Sequence, residues 1–137
     1  MNREIKFRGK RISDGRWVYG YYVFQRARTG VFGQQITEAD ADRHLICHPK
    51  RSFFEVDPET VGQFTGVPDK NGKEIYEGDI IKGLTWIGGE KIEFVGIVVY
   101  SYSTFRVTGI KEWDKAHFNL DGNAEIIGNI HDQKAEV

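Results

Sequence analysis

Two imidazoles and a thiol fall within five positions in His44-Leu45-Ile46-Cys47-His48, the densest group of soft ligands in the chain. Residues of these types hold zinc and other transition metals. Strand alternation sets His44 and His48 on one side and Cys47 on the other, and no second ligand pair of recognised spacing completes a four-ligand site. A nucleophilic Cys47 with His117 or His131 as base would need a glycine elbow or a helix N-terminus to favour the thiolate, and neither signal surrounds it. Asp69-Lys70-Asn71-Gly72-Lys73 carries the Asp and Gly of a calcium loop. Its glycine comes two places early, however, Lys73 takes a ligand position, and Ile80 stands where a bidentate Glu belongs. Glu55/Asp57 and Glu77/Asp79 have same-face strand spacing, without the apolar setting that would raise one pKa for acid–base work. Gly88-Gly89 precedes a strand rather than opening a helix, so it is no phosphate-binding motif. Together these patterns predict no enzyme, no metal and no other cofactor.

Binding chemistry is what remains. Lys6, Arg8, Lys10, Arg11 and Arg16 gather near Trp17, the mixture of cations and aromatic ring with which small barrels contact phosphate and stack bases. Arg3, Arg26, Arg28, Lys50 and Arg51 add further basic points. The opposing reading is a solvated strand face whose long basic stems cover an aromatic. Charge balance favours that second reading, because 19 Lys and Arg stand against 20 Asp and Glu for a net charge of −1. No global field therefore draws the chain to nucleic acid or an anionic membrane. Trp86 and Trp113 are candidate anchors for a protein partner, alongside exposed strand edges.

The elements that must position these groups are nearly all strands. Sixteen Gly and 18 aromatics with a single Met suit pleated strands and tight turns, and helices should be few and short. A chain of 137 residues is the size of one domain. One cysteine and an N-terminus without an apolar run point to a reducing cytoplasm, and no segment is long enough to span a bilayer as a helix.

Alternation in Glu4-Ile5-Lys6-Phe7-Arg8 predicts a strand with Ile5 and Phe7 on one face, and Asp14-Gly15 turns it into a second strand over Trp17 to Phe24. The segment Thr29 to Asp42 reads as a mobile insertion. His44 to His48 and Ser52 to Val56 are strand candidates, and Asp57-Pro58 an N-cap with proline at the first helical position, enough for one turn. The surest cue is the hairpin over residues 61–76 turning at Asn71-Gly72, where both residues accept a left-handed backbone. Gly78 should make a sharp corner with Asp79 bonding back to nearby amides. Beyond it, Gly88-Gly89 turns into a long central strand over Lys91 to Tyr102, in which Gly96 permits a bend or bulge. Thr104 to Thr108 pairs with that strand, and after Asp121-Gly122 a strand at Glu125 to Ile130 closes the series.

Several of these segments resemble the YopX-like family of temperate phages and prophages. The resemblance is carried by Arg3 to Lys10, Trp17-Val18-Tyr19-Gly20, Val61 to Gly66, Asp69 to Ile80 and Ile126 to Ile130, in the family's order, with Asp69 to Ile80 the most specific block. The stretches Thr29 to Asp42 and Trp86 to His117 match only loosely. The resemblance implies a mainly β phage protein of the bacterial cytoplasm containing an SH3-type small barrel, and it transfers no catalytic residues. The whole chain, 1–137, is then one unit, with a subdivision into an N-terminal hairpin and insertion region, 1–56, and a barrel region, 57–137. The expected role is a non-enzymatic accessory protein that binds a protein, either a host factor or a second copy of itself. The alternative is a weak nucleic-acid binder using the basic N-terminal hairpin.

Overall fold

The computed structural model describes residues 4–27, 42–48, 50 and 52–132. The insertion expected over Thr29 to Asp42 thus lies outside the described residues, except for Asp42. Two units are distinguished: Ile5–Val61, and Gly62 onward together with the N-terminal residues up to Glu4. Among the described residues every strand pairing within them is antiparallel, and the regular helices are single 3-10 turns. Among the described residues no helix is long and apolar enough to cross a membrane.

In Ile5–Val61 the strands are β1 (Phe7–Lys10), β2 (Trp17–Gln25), β3 (Arg43–Cys47) and β4 (Phe53–Glu55), side by side in the order β4-β3-β2-β1. The first strand starts later than alternation suggested: Ile5 is 56% exposed and outside it, while Arg8 is buried. Asp14 and Gly15 lie in the connection to β2, as read, with the Gly15 amide donating to the Arg11 carbonyl at 2.8 Å. β2 serves two partners in succession. Its first half, Trp17 to Gly20, pairs with β1, and its second half, Tyr21 to Gln25, pairs with β3. Gly20 stands at the handover, where an added Cβ would lie 2.1 Å from the Cys47 carbonyl oxygen. Only glycine allows so close an approach between backbones.

The far end of β4 returns to the end of β1. Arg11 and Val56 form an antiparallel bridge, the Ile12 amide donates to the Glu55 carbonyl at 3.0 Å, and the Asp57 amide donates to the Lys10 carbonyl at 2.9 Å. This is one residue pair rather than a ladder, and the sheet is not closed by it. Ile46 and Val56 are fully buried on the inner face, which also carries Phe7, Tyr22 and Phe54. Asp57 caps the 3-10 turn Pro58–Thr60 as expected, accepting from the Glu59 amide at 3.0 Å.

From Gly62 onward come β5 (Gly62–Pro68), β6 (Glu74–Tyr76), β7 (Asp79–Ile87), β8 (Glu90–Ser101), β9 (Thr104–Gly109), β10 (His117–Asn119) and β11 (Glu125–Asn129). β5 and β6 form the expected hairpin. The last five make a sheet in the order β10-β9-β8-β7-β11, open at β10 and β11. Its central strand is β8, as its apolar run required. One face carries the core of Ile75, Ile81, Phe94, Val98, Val107 and Ala124. Phe118 stacks on Phe94 at 3.9 Å between centroids, and Trp113 meets Phe118 edge-on at 5.9 Å.

One turn and one strand glycine depart from the sequence reading. At Asn71-Gly72 only Gly72 is left-handed (φ 85°). The turn begins at Asp69, whose carbonyl accepts from the Gly72 amide at 2.9 Å while its own amide donates to the Lys73 carbonyl at 2.7 Å. This is a type I turn followed by a left-handed glycine, so Asn71 keeps an ordinary backbone. The two-residue primed geometry appears instead at Gly88-Gly89, with φ 59° and 84°. Gly96 makes neither bend nor bulge, since its pairing with Ile81 and Gly109 is regular. A Cβ there would lie 2.5 Å from Val107 Cγ1, so its small size serves packing between β8 and β9. The register shifts instead in β11, between Ile126 and Gly128, and in β5, between Phe64 and Pro68.

Candidate functional site

Register decides which side chains of Ile5–Val61 share a face. Tyr21 lies opposite Cys47 and Cys47 opposite Phe53, while Val23 lies opposite Leu45 and Leu45 opposite Glu55. These two cross-strand rows face away from the Ile46 core. The result is an apolar surface on β2–β4 with Tyr21 60%, Phe53 59% and Val23 37% exposed. A shallow groove of about 510 Å³ runs over it, lined by Val23, Gln25, Arg43, Leu45, Phe53 and Glu55. Arg43 Nη2 and Glu55 Oε1 stand 3.5 Å apart among these lining residues. Phe53 also lines a second hollow of about 310 Å³ with Arg11, Ile12 and Phe54.

Lys10 is the partner of Trp17 and Arg8 the partner of Tyr19, so the same face continues toward β1. The Arg8 guanidinium carbon sits 4.4 Å and Lys10 Nζ 5.5 Å from the Trp17 ring centroid. These are cation–π distances. Sequence proximity therefore becomes spatial proximity for Arg8, Lys10 and Trp17, but Arg8 is only 6% exposed. Arg11 turns to the other face, 4.6 Å from the Phe54 ring, and shares Asp14 with Arg16 at 3.5 and 3.9 Å. Lys6 precedes β1 and is half-buried. Trp86 stands 68% exposed near the end of β7, whereas Trp113 is packed on the core beside Phe118 and is no free anchor.

The residues weighed for chemistry are held by structural partners. The Tyr22 hydroxyl lies 2.5 Å from His44 Nδ1, with the Phe24 ring 5.0 Å from the imidazole. Cys47 is half-buried with its Sγ toward the His48 carbonyl at 3.6 Å, and His48 Nδ1 accepts from the Lys50 amide at 3.2 Å. Among the described residues no three of His, Cys, Asp or Glu gather as metal ligands. Glu77 Oε1 accepts from the Gln63 amide at 3.0 Å, and the buried Asp79 accepts from the Tyr76 amide at 2.8 Å across the Gly78 corner, as the corner reading required. Asp69 Oδ1 accepts from the Asn71 and Lys73 amides at 2.8 and 2.9 Å, and Oδ2 from the Ile126 amide at 3.2 Å. Burial by itself would raise the Asp69 pKa; the three amides and the Lys73 ammonium outweigh it and hold the carboxyl below its ordinary value of 3.8.

Sequence reasoning missed Tyr21, Val23 and Phe53 as a surface. The signal was present in the aromatic run of β2, but which alternate side chains faced outward depended on the pairing with β3.

A search of curated proteins finds no match to the chain. A family profile described as YopX protein matches residues 6–135. The match takes in both units, the Asp69–Asp79 corner network and the apolar face of β2–β4, and the chain belongs to the YopX family.

Proposed function

We propose that this protein is a phage-type accessory protein of the bacterial host cytoplasm that acts by binding a protein, not by catalysis. The docking surface is the outer face of β2–β4 in Ile5–Val61. One observation carries this reading: Tyr21, Val23 and Phe53 stand exposed on one face, where Val23 and Phe53 line a groove together with a charged pair, Arg43 and Glu55. Interfaces place aromatic anchors amid polar rims in this way. In this reading the SH3-type small barrel is the region from residue 57 on, and the sharp Gly78 corner, where the Tyr76 amide donates to Asp79, is the kind of device by which such a barrel bends its strands.

The partner is a host factor or a second copy of the chain. Affinity capture from host lysate, run in parallel with wild type and Tyr21→Ser/Phe53→Ser, tests the first, and sedimentation of both proteins tests the second. A complex formed by wild type and lost in the variant is expected. Equal retention together with equal assembly state in the two proteins refutes the surface.

Nucleic-acid binding by the N-terminal hairpin is the second reading, favoured by Lys10 over Trp17. It is weakened by the burial of Arg8 and the sharing of Asp14 by Arg11 and Arg16. A salt-dependent electrophoretic shift that disappears in Lys6→Glu/Lys10→Glu would revive it.

A further inference from the structure

The β8–β9 hairpin carries a different chemistry. Ser101 pairs with Thr104, and between them Tyr102 and Ser103 both hold left-handed backbones, φ 51° and 64°. This is a primed two-residue turn built without the Asn or Gly that such a turn favours. Strain of this kind persists where the side chains are needed for something else. Tyr102 is 84% exposed, the most exposed large hydrophobic residue described.

Beneath it lies Arg106, its guanidinium carbon 5.3 Å from the Tyr102 ring centroid. Arg106 Nε is buried without a hydrogen-bond partner, and among the described residues Arg106 makes no ion pair. A buried guanidinium nitrogen left without an acceptor calls for an explanation. Register puts Thr104, Thr108, Asn119 and His117 on the same face as Arg106, with Val99 opposite it on β8. Neither β9 nor β10 contributes an acid to this face. On β8 the nearest same-face acid is Glu93, six residues from Val99, roughly 20 Å along a strand, and its carboxylate lies 3.9 Å from Lys82. The face offers donors and one uncompensated cation, so its complement is an oxyanion.

We infer that this hairpin binds the phosphate of a nucleotide, with Arg106 pairing to the phosphate oxygens and the outer face of Tyr102 stacking on the base. A planar guanidinium suits phosphate oxygens, and an exposed ring accepts any base. The inference goes beyond the protein-binding reading and uses none of its residues. The phosphate could belong to a free nucleotide or to a single-stranded nucleic acid.

Nitrogen-15 NMR titration of the full chain at low salt with AMP, a thymidine decanucleotide and inorganic phosphate tests it. Saturable shifts are expected in residues 101–106 and 117–119 and in the Arg106 Nε–H signal, with AMP or the decanucleotide at least tenfold tighter than phosphate. Binding of AMP alone identifies free nucleotide as the source, and tighter binding of the decanucleotide identifies nucleic acid. Arg106→Gln should weaken either at least tenfold. Tyr102→Asn/Ser103→Gly should melt at a higher temperature than wild type, because the strain is relieved, yet bind AMP no better than phosphate. No shift with any probe at millimolar concentration, phosphate binding as tightly as AMP, or unchanged binding in Arg106→Gln would each overturn the assignment.

Discussion

Asp69 shows how one side chain can hold a corner together. Its two oxygens collect amides from Asn71, Lys73 and Ile126, so the hairpin turn and the last strand share a single carboxylate. Because its pKa lies below 3.8 in the folded chain, its contribution is fully present above the unfolded value and is lost as pH falls through the folded one. Chemical denaturation across acidic pH should show this loss, and Asp69→Asn should flatten that limb. The same variant should cost about 1–3 kcal/mol at neutral pH, since one accepting oxygen becomes a donor facing the Ile126 amide. Asp79 has the matching role across the Gly78 corner, bonded to the Tyr76 amide and 2% exposed. The Asp79 corner and the hairpin turn around Asn71-Gly72 were legible. The third amide on Asp69 was not, because Ile126 lies 57 residues away and only the folded chain brings it there.

Turns and glycines are the business of the strands. Gly96→Ala should destabilise by about 1–3 kcal/mol in thermal or denaturant unfolding, because the new methyl would overlap Val107 and the Thr108 carbonyl in a packed core. Gly88→Asn should stabilise by roughly 0.5 kcal/mol. Nothing lies within 4 Å of a Cβ there, its φ of 59° suits Asn, and the unfolded chain loses freedom. Opposite signs at two glycines of one sheet would separate packing glycines from turn glycines. Strand existence was read well from alternation and turn residues, yet β10 and the 3-10 turn Lys111–Trp113 were not foreseen. Three residues are too few to show a period.

At the scale of the whole molecule, two surfaces of unlike chemistry sit on different units. The apolar face of β2–β4 suits a protein, and the Tyr102–Arg106 tip suits an anion. Tyr21→Ser/Phe53→Ser should therefore leave nucleotide titration unchanged, and Arg106→Gln should leave protein capture unchanged. Because Tyr21 and Phe53 are about 60% exposed already, that double variant should melt close to wild type. Cross-effects in either direction would refute the assignment of the two chemistries to separate sets of residues. Trp113 illustrates why anchors are hard to choose from composition: a tryptophan in a loosely patterned segment can serve the core as readily as the surface.

By itself the sequence determined the β-rich class, the family, the Asp57 cap, the Asp79 corner and most hairpins, because these depend on residues a few positions apart. Tertiary structure decided which alternate face of β2 is exposed, that Arg8 is buried, that Gly96 serves packing, and that Arg106 meets no acid among the described residues. Each of those depends on strand register and on contacts between distant segments, and a period of two reads the same whichever face turns to water.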